Sequence, residues 1–148
     1  MNGRYNMNGY TMSDYEMDGY EETQSSADDV MANLMSQLMR AQNVARMWHW
    51  KVKSFALHMA LGELYDGLSD MMDDLMEMYM GRYGTEAHIE LSEPNSFSET
   101  DPLAFIKQLD DFLSSQESRI PQDGFLVNKY QEIQGMVSKI RYKMENLS

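Results

Sequence analysis

Residues 55–80, FALHMALGELYDGLSDMMDDLMEMYM, carry the pattern that decides the fold. His58, Leu61, Tyr65, Leu68, Met72, Leu75 and Tyr79 recur at alternating intervals of three and four. That is the spacing of one face of an α-helix. Carboxylates occupy the other side, at Asp66, Asp70, Asp73, Asp74 and Glu77, so the segment reads as a long amphipathic helix stopped by Gly81 and Gly84. Upstream, Met31, Leu34, Met35, Leu38, Ala41, Ala45, Trp48 and Val52 keep helical spacing. A capping-box-like Ser26 with Asp29 predicts the start of that helix, and its end falls near Lys53–Ser54. Downstream, residues 81–100 hold Gly, Pro, Ser and Asn with little periodicity beyond a weak strand signal at His88–Leu91, and predict a long connection. Asp101 followed by Pro102 gives a cap and a first-turn proline for a third helix with Leu103, Ile106, Leu109 and Leu113, ending before Pro121. A fourth starts near Asp123 and carries Leu126, Tyr130, Ile133, Val137, Ile140, Met144 and Leu147. Four amphipathic helices with one long link between the second and third predict an all-α, ferritin-like four-helix bundle with a crossover.

Two regions follow from composition. Residues 1–24 repeat Y-x-M-x-[GD] at a period of five, which fits neither a helix stripe nor a strand face. They read as a flexible, acidic, Tyr/Met/Gly-rich tail, able to dock on a protein partner, ahead of a bundle over 25–148. The whole chain has a net charge of -12 and no cysteine. Disulfides, thiolate catalysis and Cys-ligated zinc are therefore excluded. The tail sets Arg4 against Asp14, Glu16, Asp18, Glu21 and Glu22, so DNA binding through it is not expected. No apolar run reaches the ~18 residues of a membrane span, and no apolar leader opens the chain, so neither a span nor a signal peptide is expected. The 16 Met residues read as adaptable core packing. Lys139, Arg141 and Lys143 read as complements to the C-terminal dipole of the fourth helix.

The chemistry concentrates on two histidines and two carboxylates. With His58 at zero, Asp73 lies at about 60° and Glu77 at about 100° around the helix, so all three share a broad face. Asp73 and Glu77, four apart, can grip one ion together. His58 and Asp73 are separated by about 22 Å of helix, whereas ligand bonds are about 2 Å, so one chain cannot place both on one ion. Two such helices packed antiparallel about a twofold axis can. A turn near Lys53–Ser54 would bring His49 to His58.

This stretch, HWKVKSFALH (residues 49–58) with Asp73 and Glu77 fifteen and nineteen residues beyond His58, resembles the Dps-like mini-ferritins. It is most similar to a divergent, phage-associated branch, which has a comparable H-x-x-x-K-S-[YF]-x-x-H stretch and a Tyr-Lys near the C-terminus, here Tyr142-Lys143. The resemblance covers about residues 27–81. It implies an intersubunit ferroxidase centre with His49, His58, Asp73 and Glu77 as metal ligands, and iron as the metal, with zinc or manganese as alternatives. Trp50, Glu63, Asp66 and Asp70 would lie around that centre. It further implies a homo-oligomer, a twofold dimer at least and a dodecameric shell in the full form. The expected place is the cytoplasm of a bacterium or phage-infected cell, or a virion. The family pattern has an acidic residue four after the second His, where this chain has Gly62, and the spacing between the two His is three residues shorter. The alternative reading is a non-catalytic helical assembly protein, such as a phage structural or accessory component, with a degenerate metal site and a docking tail.

Overall fold

The computed structural model describes the backbone of residues 12–84, 91 and 97–147, with side chains from Ala27 onward within that set. It holds four helices: α1 (Met12–Lys51), α2 (Phe55–Tyr83), α3 (Pro102–Gln116) and α4 (Gly124–Asn146). No strand occurs among the described residues. No helix among them is long and apolar enough to cross a membrane.

Local chemistry accounts for most of the boundaries. Ser54 caps α2, its hydroxyl accepting from the Leu57 N–H at 3.3 Å. At the other end Gly84 takes the left-handed conformation (φ 65°) and donates its N–H to Met80 O, so Gly84 ends the helix while Gly81 lies inside it. Asp101 caps α3 by accepting from the Leu103 N–H at 3.0 Å, with Pro102 in the first turn. One boundary differs from the sequence expectation. Ser26 is not a cap; α1 is helical from Met12. Once the Met31–Trp48 face is packed, each further residue adds a helical hydrogen bond without a new nucleation cost, and no proline interrupts 12–30. Of the flexible tail expected over residues 1–24, residues 12–24 are helical as part of α1, while residues 1–11 and the strand signal at 88–90 lie outside the described residues.

The helices pack through the predicted stripes, except at two ends: Leu103 at the start of α3 and Leu147 just past α4 are exposed. Leu61, Leu64, Leu68 and Leu75 of α2 are fully buried, each contributing about 1.5–3 kcal/mol by leaving water. They meet Leu34, Leu38, Ala41 and Ala45 of α1 and Ile133, Val137 and Ile140 of α4 in one core. His58 and Tyr65 belong to the same stripe but are only half-buried, at its edge. At Gly67 the absent side chain leaves room for the Met136 thioether of α4.

Cross-helix bonds set the directions. Asp28 meets Tyr79, Gln42 meets the Tyr65 carbonyl and His49 meets His58, so α1 and α2 are antiparallel. Asp123 meets Tyr83, Lys129 meets Asp74, and Lys143 meets Glu63, so α2 and α4 are antiparallel as well. α4 also packs on α3, and α3 touches α1; α2 and α3, consecutive in the chain, are not a packed pair among the described residues. Ser98, just ahead of α3, accepts from Trp48 Nε1 at 2.9 Å, near the α1–α2 turn. The basic residues late in α4 also serve this packing, and of the three Lys143 lies in the helix's last turn. Lys139 and Lys143 reach Glu63, and Arg141 bridges Asp110 and Glu145.

Tyr130 closes the α3–α4 contact, its hydroxyl donating to Leu113 O at 2.5 Å inside the core. Burial pushes its ionisation well above the usual phenol value, with the charge of Glu117 adding to the shift. The neutral form is favoured in the folded state, so this stabilisation is complete below the unfolded value of about 10 and is lost as pH rises beyond it. Wild type is expected to lose stability more steeply than Tyr130→Phe between about pH 8 and about pH 11, measured by denaturant midpoints. Parallel losses in the two proteins would contradict this role for the hydroxyl.

Candidate functional site

The α1–α2 hairpin is closed by its two histidines. His49 Nδ1 donates to the His58 carbonyl at 2.7 Å, and His58 Nδ1 donates to the His49 carbonyl at 2.8 Å. A carbonyl only accepts, so both Nδ1 atoms carry hydrogen, and the neutral rings hold their lone pairs on Nε2. The His49 carbonyl is in the last turn of α1, where carbonyls lack helical partners, so His58 also acts as a cap. The two rings stack with centroids 3.7 Å apart and planes at 22°. Tyr65 meets His49 edge-on at 5.3 Å, and the Arg46 guanidinium lies 4.8 Å over the Tyr65 ring.

Gly62 has a physical role here. In a helix the carbonyl of residue 58 points toward residue 62. A ring that bonds that carbonyl from outside must pass beside the Cα of residue 62. A Cβ on Gly62 would stand 3.2 Å from His49 Cε1 and 3.3 Å from His49 Nδ1. The position that lacks the acidic side chain is therefore the one against which the His49 ring rests.

The carboxylates are placed elsewhere. Asp66, Asp70, Asp73 and Glu77 are all exposed along the outer face of α2. Glu63 is held by Lys143 at 2.6 Å and Lys139 at 3.9 Å. An open pocket of about 690 Å³ lies beside His49, with Met59, Gly62, Glu63, Asp66 and Lys143 in its wall. Among the described residues no group of three or more His, Asp or Glu is positioned to hold one ion. The stacked rings do not chelate either. Their lone pairs lie in nearly parallel planes and do not converge on one point about 2.0–2.1 Å from each nitrogen. As folded, one chain offers two separate imidazole donors at one end of α2 and two carboxylates further along the same face.

The sequence placed the histidines together correctly. It missed Tyr65 and Arg46 as their neighbours, and it missed the engagement of Glu63, because cross-helix partners leave no mark in linear spacing. Trp50 flanks the pair but is 73% exposed and touches neither ring in a recorded contact.

A family model matches residues 49–144, about two thirds of the chain. The chain belongs to DUF5856, a family of unknown function. No curated protein and no solved structure matches it. The DUF5856 span opens at His49 and includes His58, Gly62, Asp73 and Glu77, so the whole hairpin lock and the outer face of α2 lie within the family region. The first 48 residues lie outside it.

Two glycines in α2 separate the lock from helix propensity. Gly62→Ala must displace His49 by a few tenths of an ångström, whereas Gly81→Ala meets nothing within 4 Å. Gly81→Ala should stabilise the helix by roughly 0.5–1 kcal/mol and leave the imidazole resonances of His49 and His58 in place. Gly62→Ala should shift both sets of resonances. Unchanged imidazole signals in Gly62→Ala would show that the His49 ring does not rest on that glycine.

Proposed function

We propose that this chain is a mini-ferritin-like iron-binding protein whose ion sits between two copies. His49 and His58 come from one subunit, and Asp73 and Glu77 from its mate. The observation that carries the reading is the hairpin lock. It fixes both imidazoles with Nε2 as the free donor nitrogen, the form a metal requires, and a bond from the other nitrogen to a carbonyl is the usual support of a ligating histidine. The exposed Asp73 and Glu77, on the same helix face, are the complementary half.

Two further features support it. α2 has no carboxylate before Glu63 and six from Glu63 to Glu77. Antiparallel packing of two α2 helices sets the acidic half of each against the acid-free half of the other, which parallel packing would not do. Within the chain, α2 neighbours α1 and α4 but not α3, the arrangement expected when the α2–α3 link runs the length of a ferritin-like bundle. In the ferroxidase form of this reading iron(II) is the substrate: two iron(II) ions would give one electron each to a peroxide, which takes up two protons to leave as two waters, and both ions would depart as iron(III). Imidazole and carboxylate ligands also suit zinc and manganese. The stacked, non-chelating rings favour a second reading, a helical assembly protein that retains the lock for hairpin closure alone.

Anaerobic titration with iron(II) separates the two. Saturable binding that disappears in His58→Ala and in Asp73→Ala is the expected result. Failure of folded, dimeric wild-type protein to bind would leave the assembly reading. In either case duplex DNA should migrate unchanged with the protein at physiological salt, since the chain's acidic charge opposes phosphate.

A further inference from the structure

The tip of the α1–α2 hairpin is chemically unlike the rest of this acidic chain. Trp50 is 73% exposed and Phe55 is 77% exposed, while Trp48 beside them is buried. Lys51 and Lys53 are exposed between the two aromatics, and Arg46 is exposed one turn before Trp50. From Val30 to Gly62 the sequence has four cationic side chains, Arg40, Arg46, Lys51 and Lys53, and no Asp or Glu. Among the described residues Arg40 pairs with Glu99, and the Lys51 ammonium lies 5.4 Å over the Trp48 ring with no carboxylate beside it. Two large aromatics and two lysines standing in water make a surface for an anionic partner with apolar side chains.

The chain contains such a partner. Residues 1–24 hold five carboxylates against Arg4, with Tyr at 5, 10, 15 and 20 and Met at 7, 12 and 17. They lie outside the family region, whereas Trp50, Lys51, Lys53 and Phe55 lie within it.

Geometry decides whose arm this is. α1 is one continuous helix of 40 residues. At 1.5 Å per residue it spans about 60 Å from Met12 to the tip. The arm's carboxylates, Asp14 to Glu22, are held in the first turns of α1, and the eleven residues before Met12 span at most about 40 Å even when fully extended. A chain's own arm therefore cannot return to its own tip. The arm leaves from the opposite end of the bundle. Tyr79 meets Asp28, and α2 ends four residues later at Tyr83, so the first turns of α1 run on past the end of α2. The first turns of α1 and the tip lie at opposite ends of α1.

We propose that the tip formed by Trp50, Lys51, Lys53 and Phe55 docks the acidic, Tyr/Met-rich N-terminal arm, residues 1–24, of a second copy of this chain. The contact is head-to-tail: carboxylates of the arm face Lys51 and Lys53, and its Tyr and Met side chains cover Trp50 and Phe55. A head-to-tail contact repeats, closing into a ring or extending as a filament. It needs no metal and uses none of His49, His58, Asp73 or Glu77.

Charge reversal in the full-length protein tests this. One variant reverses the tip, Lys51→Glu with Lys53→Glu. A second reverses the arm at Asp14, Glu16, Asp18, Glu21 and Glu22, each to Lys. A third carries both sets. All the tip positions are exposed, and circular dichroism checks that each variant keeps its helices. Sedimentation equilibrium is run at low salt and at about 1 M salt, where the screening length is only about 3 Å. Low-salt association beyond any dimer should weaken about tenfold or more in either single set, since like charges then oppose each other, and should return in the combined variant. High salt should weaken it in wild type. Trp50 emission should move to shorter wavelength on association, and Trp50→Phe should remove that change. Association unaffected by arm reversal, or lost on tip reversal alone, would overturn the proposal and assign the tip to the acidic face of α2. Failure of the combined variant to recover, with helices intact, would overturn it too.

Discussion

A straight helix keeps His58 and Asp73 about 22 Å apart, and the reading of a shared ion depends on that separation. Neither side-chain flexibility nor a change of rotamer closes such a gap. α2 runs unbroken from Phe55 to Tyr83, with Leu61, Leu64, Leu68 and Leu75 fully buried along it. Bending it enough to join the two ends would expose that core at a cost of several kcal/mol. The imidazoles and the carboxylates therefore act together only through a second copy, or they do not act together at all.

The hairpin lock shows how one set of contacts serves structure and chemistry together. The reciprocal Nδ1 bonds close the turn between α1 and α2, satisfy a carbonyl in the last turn of α1, and leave Nε2 as the acceptor on each ring. Gly62 lets the His49 ring rest where it does: a Cβ there would push the ring aside by a few tenths of an ångström. The missing acidic side chain is thus tied to the way the histidines pack. The result is a pair of imidazoles held side by side at the hairpin, with no side chain at position 62.

Much of the bundle was legible because its signals are local. The three-four alternation marked α2, α3 and α4; Asp101-Pro102 marked a helix start and Gly84 a helix end. The start of α1 was not legible. A five-residue repeat has no helical stripe, and Ser26 carries a cap's chemistry whether or not the helix begins there. The site was legible to the extent that spacing determines it: His49 and His58 meet across the turn, and Asp73 stays distant. What spacing could not reveal were contacts across helices, such as Lys143 with Glu63, Arg46 over Tyr65, and the two carbonyls that orient the rings. Those depend on how α1 and α4 lie against α2, which no single helix records.

Subunit complementation tests the split site most directly. His58→Ala protein lacks one half and Asp73→Ala protein lacks the other. A split site predicts that neither binds iron(II) alone. Unfolded and refolded together in equal amounts, they should regain saturable binding at about a quarter of the wild-type capacity, because half the dimers are mixed and each mixed dimer has one intact site of two. Mixed dimers that form but bind no iron, alongside wild-type protein that does, would contradict a site shared between two copies.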